Sequence, residues 1–177
     1  MRRFLRKVDL SLRIRAANVE DVPAILEIER QSSSAAHWPR QQYENLFAVQ
    51  NGLPGSFQRL AWVLEKEADV PEKDPSKSPE ILAFLVAQRI EAEWELENIV
   101  VAETARRQGL GTLLLREFLS HVQMEGGSGI FLEVRESNQN ARTLYRKLGF
   151  EEAGSRRNYY TGPVENAILY RLWPVKL

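Results

Sequence analysis

The chain contains no cysteine. Disulfides, thiolate metal sites and a cysteine nucleophile are therefore excluded. Histidine is nearly as scarce: His37 falls in a loop and His121 on a helical stretch beside Glu117 and Glu125. Neither has partners at metal-ligand spacing, so no metal site is expected. No apolar run approaches the roughly eighteen residues of a membrane span. The basic start, Met1-Arg2-Arg3-Phe4-Leu5-Arg6-Lys7, is followed by Asp9, Arg13 and Arg15, which interrupt any signal-peptide core. An excess of one charge is also missing, since Lys plus Arg and Asp plus Glu both number 24. No bulk attraction to nucleic acid or an anionic membrane follows. The expectation is a cytoplasmic protein with no membrane partner and no direct nucleic-acid binding.

What is present suits one domain over residues 1–177: a hydrophobic content of 44% fills a single core. Residues 1–10 read as a basic tail. Leu12, Ile14 and Ala16 alternate with polar neighbours as a first strand does. Pro23 suits a first helical turn, with Val22, Ile25 and Leu26 on the apolar side, and a second helix starts near Pro39 and packs Tyr43, Leu46 and Phe47. Strands follow at Leu60 to Leu64, Ile81 to Ile90 and Trp94 to Val101. Between the first two, residues 66–80 carry Pro71, Pro75 and Pro79 among charges and serines, the composition of a flexible hairpin loop. Leu110, Leu114, Leu115, Phe118, Leu119 and Val122 make a helical stripe. Then come a buried strand at Ile130 to Val134, a helix capped by Ser137 or Asn138 and ended by Gly149, and two closing strands. The order β-α-α-β-β-β-α-β-α-β-β is a mixed α/β layer fold.

The most informative stretch is Arg106-Arg107-Gln108-Gly109-Leu110-Gly111-Thr112, between the third of these middle strands and the helix after it. Glycines at such a junction let backbone N–H groups approach an anion at the positive end of the helix dipole, so a phosphate or pyrophosphate is the natural guest. An NTPase loop would need a lysine after its second glycine, yet no lysine lies between Thr104 and Lys147. A dinucleotide loop needs a third glycine, and Thr112, Leu113 and Leu114 follow instead. What stands here is Arg/Gln-x-x-Gly-x-Gly. With the preceding Leu96-Glu97-Asn98-Ile99-Val100-Val101, it resembles the acetyl-CoA loop of the GNAT N-acetyltransferase superfamily. Leu132-Glu133-Val134-Arg135-Glu136-Ser137-Asn138 and Leu144-Tyr145-Arg146-Lys147-Leu148-Gly149-Phe150 are similar to one branch, the ribosomal-protein-alanine N-acetyltransferases. Arg156-Arg157-Asn158-Tyr159-Tyr160 and, more loosely, His37-Trp38-Pro39 also resemble that branch.

The resemblance implies a GNAT (acyl-CoA N-acyltransferase) fold, a mixed twisted sheet of about seven strands flanked by about four helices. Acetyl-CoA is the implied cosubstrate. Ile99, Val100 and Val101 would pair with its pantetheine arm, Arg107, Gln108, Gly109, Leu110, Gly111 and Thr112 would cradle its pyrophosphate, and Asn138 would be a further contact. Glu133 matches the family's proton acceptor and Tyr145 its proton donor. Chemistry supports these two roles: an ammonium cannot attack a thioester until a base removes a proton, and the departing thiolate leaves better when protonated. Of Trp38, Trp62, Trp94 and Trp173, only Trp38 is expected near substrate. The implied activity is acetyl transfer to the N-terminal α-amine of a protein, an alanine-starting small-subunit ribosomal protein in that branch. An acetyltransferase for a small amine or a lysine side chain, and a non-catalytic acyl-CoA sensor, are the alternatives.

Overall fold

The computed structural model describes residues 12–48, 58–66 and 79–174. The basic tail and most of the proline-containing hairpin loop lie outside the described residues. Seven strands form one sheet: β1 (Leu12–Ala16), β2 (Arg59–Lys66), β3 (Glu80–Ile90), β4 (Glu93–Val101), β5 (Gly129–Arg135), β6 (Glu151–Thr161) and β7 (Val164–Leu172). Their order across the sheet is β1-β2-β3-β4-β5-β7-β6, with only β4 and β5 parallel. Four α-helices accompany them: α1 (Val22–Arg30), α2 (Arg40–Phe47), α3 (Leu110–Met124) and α4 (Gln139–Lys147). Helix α3 is the crossover between the two parallel strands, the connection that parallel neighbours require. Among the described residues no helix is long and apolar enough to cross a membrane.

Local chemistry sets the element ends. Asn18 caps a short 3-10 turn ahead of α1, its side chain accepting from the Glu20 N–H while Asp21 accepts from the Asn18 N–H. The sequence pattern gives no sign of this turn. Pro39 precedes α2 as its N-cap, and Asn138, rather than Ser137, caps α4 by accepting from the Ala141 N–H. Gly149 ends α4 at φ 89°, a left-handed conformation that glycine adopts without a Cβ penalty.

The two faces of the sheet carry different helices. Trp94 of β4 packs edge-on against Phe118 and His121 of α3, and Tyr145 of α4 packs on Tyr170 of β7. Helices α1 and α2 lie on the other face, where Glu29 and Tyr43 meet Asn98 of β4. Trp94, Phe84, Phe118, Leu114, Leu115 and Ile130 are fully enclosed in one apolar cluster between these layers. Trp62 joins it from β2, while Trp173 is exposed.

Candidate active site

Strands β4 and β5 pair only from Glu93–Gly129 to Leu96–Leu132 and then part. The cause lies in β4. Its register with β3 skips Glu97: Leu96 faces Ala87 and Asn98 faces Val86. A bulge of this kind bends a strand and reverses its side-chain alternation. Trp94 accordingly points to α3, whereas Asn98, four residues on, points to α1 and α2. Beyond the last pair the strands splay, and the gap becomes a cleft of about 980 Å³. That is the size of a site for a large cosubstrate.

The cleft is lined by Ile99, Val100 and Val101 on one lip, by Glu133, Val134 and Arg135 on the other, by Arg107, Gly109, Leu110, Gly111 and Thr112 at the start of α3, and by Asn138 and Tyr145. Gln108 does not line it; its side-chain amide donates to the Thr104 carbonyl. Trp38 does not line it either, but packs against Tyr43 with ring centres 5.3 Å apart, which makes it part of the α2 platform.

The two glycines of the loop have different tasks. Gly109 is the N-cap of α3 at φ 87°, a left-handed turn that exposes the first N–H groups of the helix. A Cβ on Gly111 would make ordinary contacts with Leu144 at 3.4 Å and Val101 at 3.5 Å, so packing alone does not demand a glycine there, although a larger side chain would not fit between β4 and α4. Arg106, Arg107 and Lys147 are among the residues that line the cleft. Open N–H groups at a helix N-terminus, with Arg106 and Arg107 just before it in the chain, fit a pyrophosphate. The residues present therefore fit an acyl-CoA.

Glu133 follows Leu132, the partner of Leu96, and so projects to the face opposite α3. Its carboxylate is met by Arg156 at 3.1 Å and is about four-fifths enclosed. Arg156 and the two tyrosines come from the exposed edge strand β6. The negative charge of Glu133, together with burial and a hydrogen bond to Glu133, raises the Tyr159 hydroxyl above its usual range. Burial pushes Tyr160 up to about 12, with Glu133 adding to the effect, and Arg135 stacks on its ring at 4.2 Å. Tyr145 is enclosed by Phe150 and Tyr170. Burial moves its hydroxyl well above the ordinary phenol range, so it keeps its proton at neutral pH.

One residue here has no counterpart in the sequence reading. Glu97, the bulge residue, lines the cleft with its side chain only 9% exposed. Burial pushes its carboxyl up, and Arg59, bonded to Oε1 at 2.9 Å, offsets only part of the effect. The signal that could have found it is the break in alternation: Glu93-Trp94-Glu95-Leu96 alternates, and at Glu97-Asn98 two polar residues adjoin.

A family model for the acetyltransferase (GNAT) family matches residues 23–150. The [ribosomal protein bS18]-alanine N-acetyltransferase of Escherichia coli K12 is 40% identical over 99 residues, 55% of this chain and 67% of that protein. The enzyme of the same name from Haemophilus influenzae is 40% identical over 93 residues, 51% of this chain and 63% of its own. The crystal structure of the ribosomal-protein-S18-alanine N-acetyltransferase from Escherichia coli superposes with a TM-score of 0.71 at 29% identity, covering 94% of this chain and 95% of that one.

Proposed function

Because this chain belongs to the acetyltransferase (GNAT) family, we propose that it moves acetyl from acetyl-CoA to the N-terminal α-amine of a protein, with an alanine-starting small-subunit ribosomal protein as acceptor. The observation that carries this reading is the common cleft, in which a carboxylate, a proton-holding phenol and a helix N-terminus behind a left-handed glycine line one space. Arg107, Gly109, Leu110, Gly111 and Thr112 hold the pyrophosphate, while Ile99, Val100 and Val101 present the strand edge that β5 leaves unpaired. Asn138 flanks the carrier. Glu133, directly or through a water, takes one proton from the acceptor ammonium. The neutral nitrogen forms a bond to the thioester carbon, the carbon–sulfur bond breaks, and Tyr145 supplies a proton to the departing thiolate; the second proton that the nitrogen sheds on becoming an amide passes through water to restore the Tyr145 phenol, and Glu133 releases the first to solvent.

The acceptor class follows from proton equilibria. An α-amine, with a pKa near 7.8, is roughly ten per cent neutral at pH 7, whereas a lysine near 10.4 is neutral at well under ~0.1%. A carboxylate base suits the first. The relatives' names point to the same acceptor.

The test is mass spectrometry of two peptides incubated with the enzyme and acetyl-CoA. One begins with a free alanine and lacks lysine; the other has a blocked N-terminus and carries lysine. A 42 Da gain, roughly one acetyl, is expected on the first alone. Preference for the blocked peptide would transfer the reading to lysine acetylation, and tight CoA binding without thiol release from any amine would indicate a sensor.

A further inference from the structure

The face of the sheet opposite α3 carries more negative charge than the proposed base alone supplies. Arg59, Gln88 and Glu95 are register neighbours across β2, β3 and β4, on the side away from Trp94. Glu97 reaches Arg59 and so stands on that side as well. Glu133 occupies the same face of β5, and Tyr159 senses both Glu133 and Glu95. Three carboxylates therefore meet two guanidiniums, those of Arg59 and Arg156. Arg135 nearby is matched by Glu165, and Gln88 donates to Glu95. One negative charge is left without a counterion among these groups.

The deficit localises at Glu97. Arg59 occupies Oε1, while Oε2 is buried with no hydrogen-bond partner among the described residues. Holding a partly exposed arginine is poor return for enclosing a carboxylate, because desolvating the acid costs more than a half-solvated partner restores. A buried acceptor atom left open costs free energy unless some donor arrives. Position supplies the donor's identity. Leu96 and Leu132 are the last residues paired before the strands part. Glu97 and Glu133 are the next residue on each, one per lip of the cleft, on one face.

We propose that Glu97 is the acceptor-binding carboxylate: its Oε2 receives a charge-assisted hydrogen bond from the protonated amine and holds that nitrogen between the lips while Glu133 takes its proton. The ligand class is a primary ammonium carrying one positive charge, which balances the uncompensated carboxylate. This assignment rests on the proposed α-amine acetylation. It adds a recognition step that favours the charged acceptor, although the neutral form reacts.

The experiment compares the alanine-starting peptide with one in which lactyl replaces that alanine, putting a hydroxyl where the ammonium stood. Acceptor KM and competitive inhibition are measured in the whole protein and three variants. The unvaried enzyme should prefer the ammonium by about 10-fold or more, the worth of one charge-assisted hydrogen bond. Glu97→Gln should raise acceptor KM about 10-fold, with kcat and the KM for acetyl-CoA little changed, and should abolish the preference. Its acceptor KM should also stop rising above pH ~7.8, where the α-amine loses its charge. Glu133→Gln should keep the preference while kcat falls, and Arg59→Gln should keep it too. If Glu97→Gln does not fold, Glu97→Asp, which withdraws Oε2 by one methylene, should show the same KM increase. Unchanged acceptor KM and preference in the Glu97 variant, or equal loss in Arg59→Gln, would overturn the assignment. Absence of α-amine acetylation by the unvaried enzyme would instead bring down the functional reading on which it rests.

Discussion

Glu133 and Tyr145 flank the cleft in unlike surroundings, and the difference suits unlike proton chemistry. The carboxylate is open enough to be met by Arg156, whereas the phenol is walled in by aromatic rings that keep it protonated. Glu133→Gln should lower kcat by about 100-fold or more, the usual worth of a general base, with CoA affinity retained in calorimetry. Tyr145→Phe keeps the ring contacts and loses only the proton, so kcat in a thiol-release assay should fall about 10-fold or more at unchanged thermal midpoint. Both residues were singled out through the family resemblance of their motifs; strand alternation and the apolar helical stripe place them but would equally suit an exposed acid and a core tyrosine. Arg156 and Tyr159 were visible only as candidates, because pairing across β5, β7 and β6 is non-local.

Among elements, the glycine loop and the β4 bulge together make the cleft. The first was readable, since glycine spacing announces a turn, but the division of labour within it was not. Only the backbone shows that Gly109 is left-handed and Gly111 is not. Gly109→Val should abolish measurable CoA binding, since a β-branched residue resists φ 87° and would close the helix N-terminus. Gly111→Ala should bind CoA nearly as the parent does, its Cβ making ordinary contacts with Leu144 and Val101. The bulge shows in the sequence only as the adjoining polar pair Glu97-Asn98 in an alternating strand, which by itself does not tell a bulge from a strand end, and with it the sequence reading lost Glu97. It also missed the network that follows: the Asn98 side-chain amide donates to Glu29 at 2.9 Å and to the Tyr43 hydroxyl at 3.0 Å, tying α1 and α2 to β4. Asn98→Leu should cost about 2 kcal/mol in denaturant unfolding, because it removes one of the donors to the buried Glu29 carboxylate and leaves only the Tyr43 hydroxyl on it.

For the whole molecule, two buried acids give stability opposite dependences on pH. Burial pushes the Asp21 carboxyl up, but hydrogen bonds from Arg15 and the Asn18 N–H outweigh it, and the net direction is down. Its contribution is present above the unfolded value near 3.8 and is lost as pH falls through the lower folded value. Glu97 is displaced upward; its contribution is complete below the unfolded value near 4.5 and is lost as pH rises through the higher folded one. Denaturant midpoints at pH ~2 and pH ~7 should show Asp21→Asn less stable by about 2 kcal/mol at neutrality, with a smaller deficit in acid. Glu97→Gln should lose less stability between those pH values than the parent. The cleft is also bordered by residues of both faces: Ser32 and Ala35 from beyond α1, Thr143 and Lys147 from α4. It is thus walled by elements of both layers. Room walled from both sides can hold donor and acceptor together, as the proposed direct transfer requires, and initial-rate plots should then give intersecting lines, the pattern of two substrates on the enzyme at once.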